Sequence, residues 1–120
     1  MAKRGVTEFL KAFGDDHVVF FRAETDLLIA LDEQGNIARV NPAFEKALER
    51  EESNVLHHEV IQFVHEDDLA KFIRSFDQSH APDPIRLLKR NNGEIVARLI
   101  AFRFRRTDDG LRGYLILRPE

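Results

Sequence analysis

The sequence predicts an α+β domain: one five-stranded antiparallel sheet, helices packed on one of its faces, and an amphipathic cap helix at the N-terminus. Strand-like segments occur at both ends of the chain, with helical patterns between them. Short Gly-containing links join those strand segments, and such links close antiparallel hairpins rather than parallel crossovers. The chain has 120 residues, of which 43% are hydrophobic and 32% charged, enough for one core without disulfide or metal support. Residues 1–22 read as a cap region and residues 23–120 as the domain proper.

Val6, Phe9, Leu10 and Phe13 recur at helical spacing between Thr7 as a cap and Gly14 as a stop. The run His17–Phe21 is apolar and too short to classify by period. Thr25–Asp32 reads as a strand, with Leu27, Ile29 and Leu31 alternating. A turn at Glu33–Asn36 leads to a second strand, Ile37–Val40. Asn41-Pro42 is a helix start: asparagine caps well, and proline at the first helical position has no amide hydrogen to leave unpaired. Phe44, Ala47 and Leu48 follow on one face. Short helical turns are expected through Val55–Val64. Glu66, Asp67 and Asp68 place negative charge at the positive dipole end of a longer helix carrying Leu69, Phe72, Ile73 and Phe76. The prolines at 82 and 84 end it. Ile85–Arg90, an Asn92-Gly93 turn, Glu94–Phe104, a turn at Asp108–Gly110 and Leu111–Arg118 complete the sheet.

The absence of cysteine excludes a disulfide framework, a thiolate metal site and a cysteine nucleophile. No apolar stretch approaches the roughly 20 residues that span a bilayer, and no signal-peptide core is present, so a cytoplasmic domain that does not engage a membrane is expected. Charge is uneven: residues 1–80 carry 9 Lys/Arg against 16 Asp/Glu, and residues 81–120 carry 9 against 5. The arginines fall in strands, where they solvate a sheet face or pair with the acidic half. With a pI near 6.0, nucleic acid is not the expected partner. No phosphate loop, nucleophile elbow or HExxH motif occurs, and Thr7 and Ser75 have no visible partner base, so no catalytic activity is expected.

The ordered set Leu28–Asp32, Gly35–Ile37, Val40–Phe44, Leu48, Phe63–His65, Asp67-Asp68, Arg86, Arg90–Gly93 and Gly110…Gly113-Tyr114 resembles the PAS family of sensor domains over residues 25–118. The chain departs from the family pattern at Glu49 and His57, where glycine is common, and at Glu66, where proline is usual. Glycine would supply positive φ at the first two positions, so the geometry of the 49–58 segment is open at this stage. The ending Arg118-Pro-Glu120 lacks the Asp-Ile-Thr sequence that often leads to a downstream effector, which fits either an excised module or a stand-alone domain.

The resemblance implies a sensory module of signal transduction, coupled to an effector such as a histidine kinase of a two-component system, a cyclic-dinucleotide enzyme or a transcription regulator. It also implies a pocket between helices and sheet. The candidate lining is Phe44, Leu48, Val60, Phe63, Phe72, Phe76, Leu87, Ile100 and Phe102, suited to a small hydrophobic ligand. So many rings favour a mostly filled interior. Haem-binding relatives place an axial histidine on the long helix, here at Phe72, or just before it, which makes His65 the candidate haem ligand. Flavin is disfavoured, since neither the adduct-forming cysteine nor a stacking tryptophan is present. His57 and His58 are adjacent and point apart on a helix, against joint chelation. In the strand 94–104, Ile100, Phe102 and Phe104 alternate with Ala97, Leu99 and Ala101, so one face is left with an apolar patch. The stripe Val6, Phe9, Leu10 and Phe13 is the available cover for that patch: supplied by a partner chain it predicts a homodimer, and supplied by its own chain an intramolecular lid. The competing expectations are a haem-bearing gas or redox sensor and a pure dimerisation adaptor with a filled core.

Overall fold

Five strands form one antiparallel sheet in the computed structural model of the chain, which describes residues 24–77, 79, 81–107 and 110–120. They are β1 (Leu27–Leu31), β2 (Ile37–Val40), β3 (Ile85–Leu88), β4 (Glu94–Thr107) and β5 (Gly110–Pro119). The order β2-β1-β5-β4-β3 puts the first and last strands side by side at the centre, with Leu27 opposite Leu117 and Leu31 opposite Gly113. Between β2 and β3 the chain crosses one face of the sheet as α1 (Pro42–Leu48), α2 (Glu52–Val55), 3-10 turns at Val60–Phe63 and Glu66–Asp68, and α3 (Leu69–Arg74). The N-terminal cap helix expected from Val6, Phe9, Leu10 and Phe13 lies outside the described residues.

The core sits between sheet and helices. Leu27 and Ile29 of β1, Leu115 and Leu117 of β5, and Ala97 and Leu99 of β4 meet Phe44, Leu48, Val55, Phe63 and Phe72 from the connecting helices. Burial of such side chains is the main favourable term for a domain of this size. On the other face Leu28, Ala30, Tyr114 and Ile116 are also buried, although none belongs to that cluster.

Two expectations are corrected. The regular alternation expected in β4 does not run through: the register with β5 shifts between Leu99 and Ala101. One residue of this bulge has no partner position, which reverses the inward and outward sets beyond it. Ala97 and Leu99 are therefore joined on the inner side by Phe102, which packs against the core, while Ile100 is 40% exposed. Ile100 thus parts company with Phe102, with which the sequence paired it. The second correction concerns the helix after Asp68, which is six residues long rather than extended. The Ser75 hydroxyl donates to the Lys71 carbonyl at 2.8 Å, and a serine bonded back in this way weakens continuation.

Glu49 and His57 both adopt left-handed backbone, with φ of 55° and 70°. The two positions where the family favours glycine keep glycine's conformation without glycine. Glu49 closes α1, its N–H donating to the Glu45 carbonyl.

Candidate functional site

A cavity of about 200 Å³ opens between β1, β5 and the helical layer. Leu31 and Leu115 form its floor on the sheet, Val60 and Ile61 one wall, and Phe72 and Phe76 the other, with Gln34, Gly35 and Glu59 at the rim. Local bonding fixes each wall. The Asp32 carboxylate accepts from the Gln34 and Asn36 N–H groups at 2.9 and 3.0 Å, which tightens the β1–β2 turn. Gly35 in that turn has φ of 79°, a conformation that costs other residues strain. Alongside β2, the Ile37 N–H donates to the His58 carbonyl at 2.9 Å, and the His57 N–H donates to the Ile37 carbonyl at 2.8 Å. The strained turn at His57 thus makes the 57–61 segment lie along the sheet edge and present Val60 inward.

On the opposite wall Phe72 meets Phe76 edge-on at 5.4 Å, and Phe76 meets Phe102 at 4.9 Å. The Phe104 ring extends the chain of contacts, 5.9 Å from Phe102, and lies across Gly113. A Cβ at Gly113 would approach that ring to 2.2 Å, so the glycine is what lets the ring lie flat on β5.

Of the residues singled out from the sequence, Val60, Phe72 and Phe76 line this cavity. Phe44, Leu48, Phe63 and Leu87 are instead fully packed members of the core. Phe102 supports Phe76 from behind. Together with Ile100 it borders a second groove of about 400 Å³ against Ser75, Asp77 and Pro82. Sequence reading missed Leu31, Ile61, Leu115 and the rim. Leu31 was visible as the last inward position of an alternating strand; Gln34, Gly35 and Glu59 are brought there only by tertiary contact.

His65 lines neither cavity. Its Nδ1 accepts the Asp67 N–H at 3.1 Å and its Nε2 lies 3.6 Å from Glu94, while its backbone N–H donates to the Arg86 carbonyl at 2.9 Å. The ring caps a 3-10 turn. Asp68, read from the sequence as helix-dipole charge, is a buried anchor. Its Oδ2 accepts from the Arg86 backbone N–H at 2.8 Å and Nε at 2.9 Å, and its Oδ1 accepts from Nη2 at 3.1 Å. Those hydrogen bonds, from the guanidinium first and the backbone second, hold the Asp68 carboxyl well below the usual carboxylate range, against the opposing effect of burial. Among the described residues no group of three His, Cys, Asp or Glu side chains is arranged to hold a metal ion. No helix among them is long and apolar enough to cross a membrane.

The family model described as "PAS domain" matches residues 25–118. No curated protein matches the chain. Among solved structures, the PAS domain of an HTR-like protein from Haloarcula marismortui is 20% identical, with a TM-score of 0.63 over 86% of this chain and 92% of that one. A PAS domain from a two-component sensor histidine kinase is 14% identical, with a TM-score of 0.67 over 94% and 99%. The PAS-B domain of Drosophila melanogaster Cycle with bound ethylene glycol is 13% identical, with a TM-score of 0.62 over 78% and 97%.

Proposed function

Since the chain belongs to the PAS-domain family, a family of sensory signalling modules, we propose that it receives a small apolar ligand in the cavity beside Phe72 and Phe76 and relays the change to an effector or partner protein. The observation that carries this reading is the cavity itself, apolar within and polar only at its rim. At about 200 Å³ it lies between an engineered dry cavity of roughly 150 Å³ that takes up benzene and the roughly 300–1,000 Å³ of drug-sized sites. The chemistry that suits it is a single-ring or short aliphatic molecule.

The relay runs through packing. A ligand against Phe72 and Phe76 shifts the ring contact with Phe102 and so the seating of α3 on β4. The shift is as large as the ligand's differential affinity for the two arrangements allows. No step in this scheme needs a catalytic group. A haem held by His65 fits poorly, because the ring is occupied in capping and faces carboxylates. We further infer a homodimer in which the stripe Val6, Phe9, Leu10 and Phe13 covers the outer sheet face near Val96. A solution mass twice that of the chain is its signature.

Native mass spectrometry of the purified chain with added indole tests the pocket. One bound molecule is expected for the wild-type protein and none for Leu115→Trp, whose larger side chain fills the floor. Absence of binding in both would favour the adaptor with a filled core.

A further inference from the structure

The cavity beside Phe72 and Phe76 has a smaller neighbour. A hollow of about 80 Å³ is lined by Leu31, Asp32, Glu33, Gly35, Phe104 and Gly113. Leu31 and Gly35 belong to both linings, so the two spaces meet at the end of β1. Gly35 puts no side chain into that junction, and nothing lies within 4 Å of where its Cβ would stand. Leu31, Gly113 and Phe104 occupy one row across β1, β5 and β4. The Phe104 ring lies over the glycine with Phe76 6.3 Å away, so one aromatic wall serves both spaces. Phe104 is 42% exposed, with solvent on one side of the ring and the hollow on the other. The acids beside it are already engaged. Asp32 accepts from two turn N–H groups, and Glu33 pairs with Arg112 at 2.8 Å. What enters the hollow therefore needs no charge.

Resting on the reading of the larger cavity as the ligand site, we propose that the two spaces form one site for a single-ring compound with a short alkyl tail, and that Phe104 sets the length of that tail. The ring seats against Phe72, Phe76 and Leu115, and the tail runs past Leu31 to end beneath Phe104. The smaller space holds roughly three groups of water size, at a liquid share of about 30 Å³ each, hence a tail of about three carbons. A bare ring leaves the hollow unfilled. A longer chain has to push the Phe104 ring into solvent, at the loss of its contacts with Phe76 and Phe102.

Isothermal titration calorimetry of the full chain with toluene, ethylbenzene, propylbenzene and pentylbenzene tests this. Affinity is expected to rise roughly fourfold per methylene as far as propylbenzene, the gain for burying each one, and then to level off. In Phe104→Ala the end wall is gone, and the rise is expected to drop below about twofold per methylene because the tail meets water. The readout is the slope, which a loss shared by every member does not change. If that variant does not fold, a nuclear Overhauser contact between the terminal methyl of propylbenzene and the Phe104 ring of the wild-type chain decides instead, and it is expected. Three results overturn the inference while leaving the larger cavity as the ligand site: toluene binding with a flat series, an equal slope in Phe104→Ala, or a terminal methyl that contacts Val60 and not Phe104. Binding by no member of the series overturns both readings.

Discussion

Where the chain enters and leaves its helical layer, buried polar side chains hold it; where the β4–β5 hairpin runs past β3, rings and arginines replace them. Asn41 is fully buried at the entry. Its Oδ1 accepts from the Leu28 and Phe44 N–H groups, each at 3.0 Å, and its Nδ2 donates to the Asp26 carbonyl at 2.8 Å. One side chain thereby ties β1 to the start of α1 and satisfies an N–H that the helix leaves unpaired. Asp68 and Arg86 do the same at the exit, joining the turn before α3 to β3. Among the described residues the overhang has a single buried polar tie, Arg112, whose Nη2 pairs with Glu33 at 2.8 Å. Phe76, Phe102 and Phe104 touch edge-on or tilted, and Phe104 is 42% exposed. Directional bonds in a dry setting specify one arrangement, whereas ring contacts permit several. The first region suits a fixed frame and the second suits a moving or docking surface.

The largest effect expected from testing that contrast is Asn41→Ala. It strands the buried Leu28 N–H, removes a helix cap and costs roughly 3 kcal/mol, read from denaturant unfolding. Equal loss from an alanine at Phe104 would erase the contrast. Next comes Asp68→Asn, which is expected to lower the melting temperature by several degrees at neutral pH. Here the sign is fixed by the depressed carboxyl. The Asp68 contribution is complete above about pH 5, and it is lost as the pH falls below the ordinary carboxylate value near 4. The wild-type advantage over the Asn variant therefore shrinks in acid, and thermal melts from pH 7 to pH 3 measure it. An advantage that stayed constant with pH would show that Asp68 acts by shape alone. The smallest effect is a gain: His57→Gly relieves the left-handed strain and adds about 1 kcal/mol of stability. A loss there would mean that the His57 side chain contributes more than its backbone costs.

Much of the frame was legible in the sequence because its signals are local. Asn41-Pro42 announces a helix, Asn92-Gly93 announces a hairpin, and the alternation of Leu27, Ile29 and Leu31 announces a half-buried strand. The overhang was harder to read. Apolar residues occupy both parities of the 97–104 stretch, so a period of two fits either face, and only pairing with β5 shows where the phase breaks. Asp68 posed a different difficulty. Three consecutive acids before a helix are explained by its dipole, and the guanidinium that claims one of them is eighteen positions away. The cavity was half visible: Val60, Phe72 and Phe76 follow from helical faces, whereas its rim depends on how the β1–β2 turn folds back toward the 57–61 segment.

The bulge at Ile100 gives β4 one residue more than the ladder beside it uses. Take that single residue out and Leu99 meets Ala101 directly: consecutive positions would then face Leu117, Ile116 and Leu115, and the rings at 102 and 104 would keep their side. Length is forgiving at this one place, whereas a deletion elsewhere in the strand would turn every side chain beyond it to the opposite face.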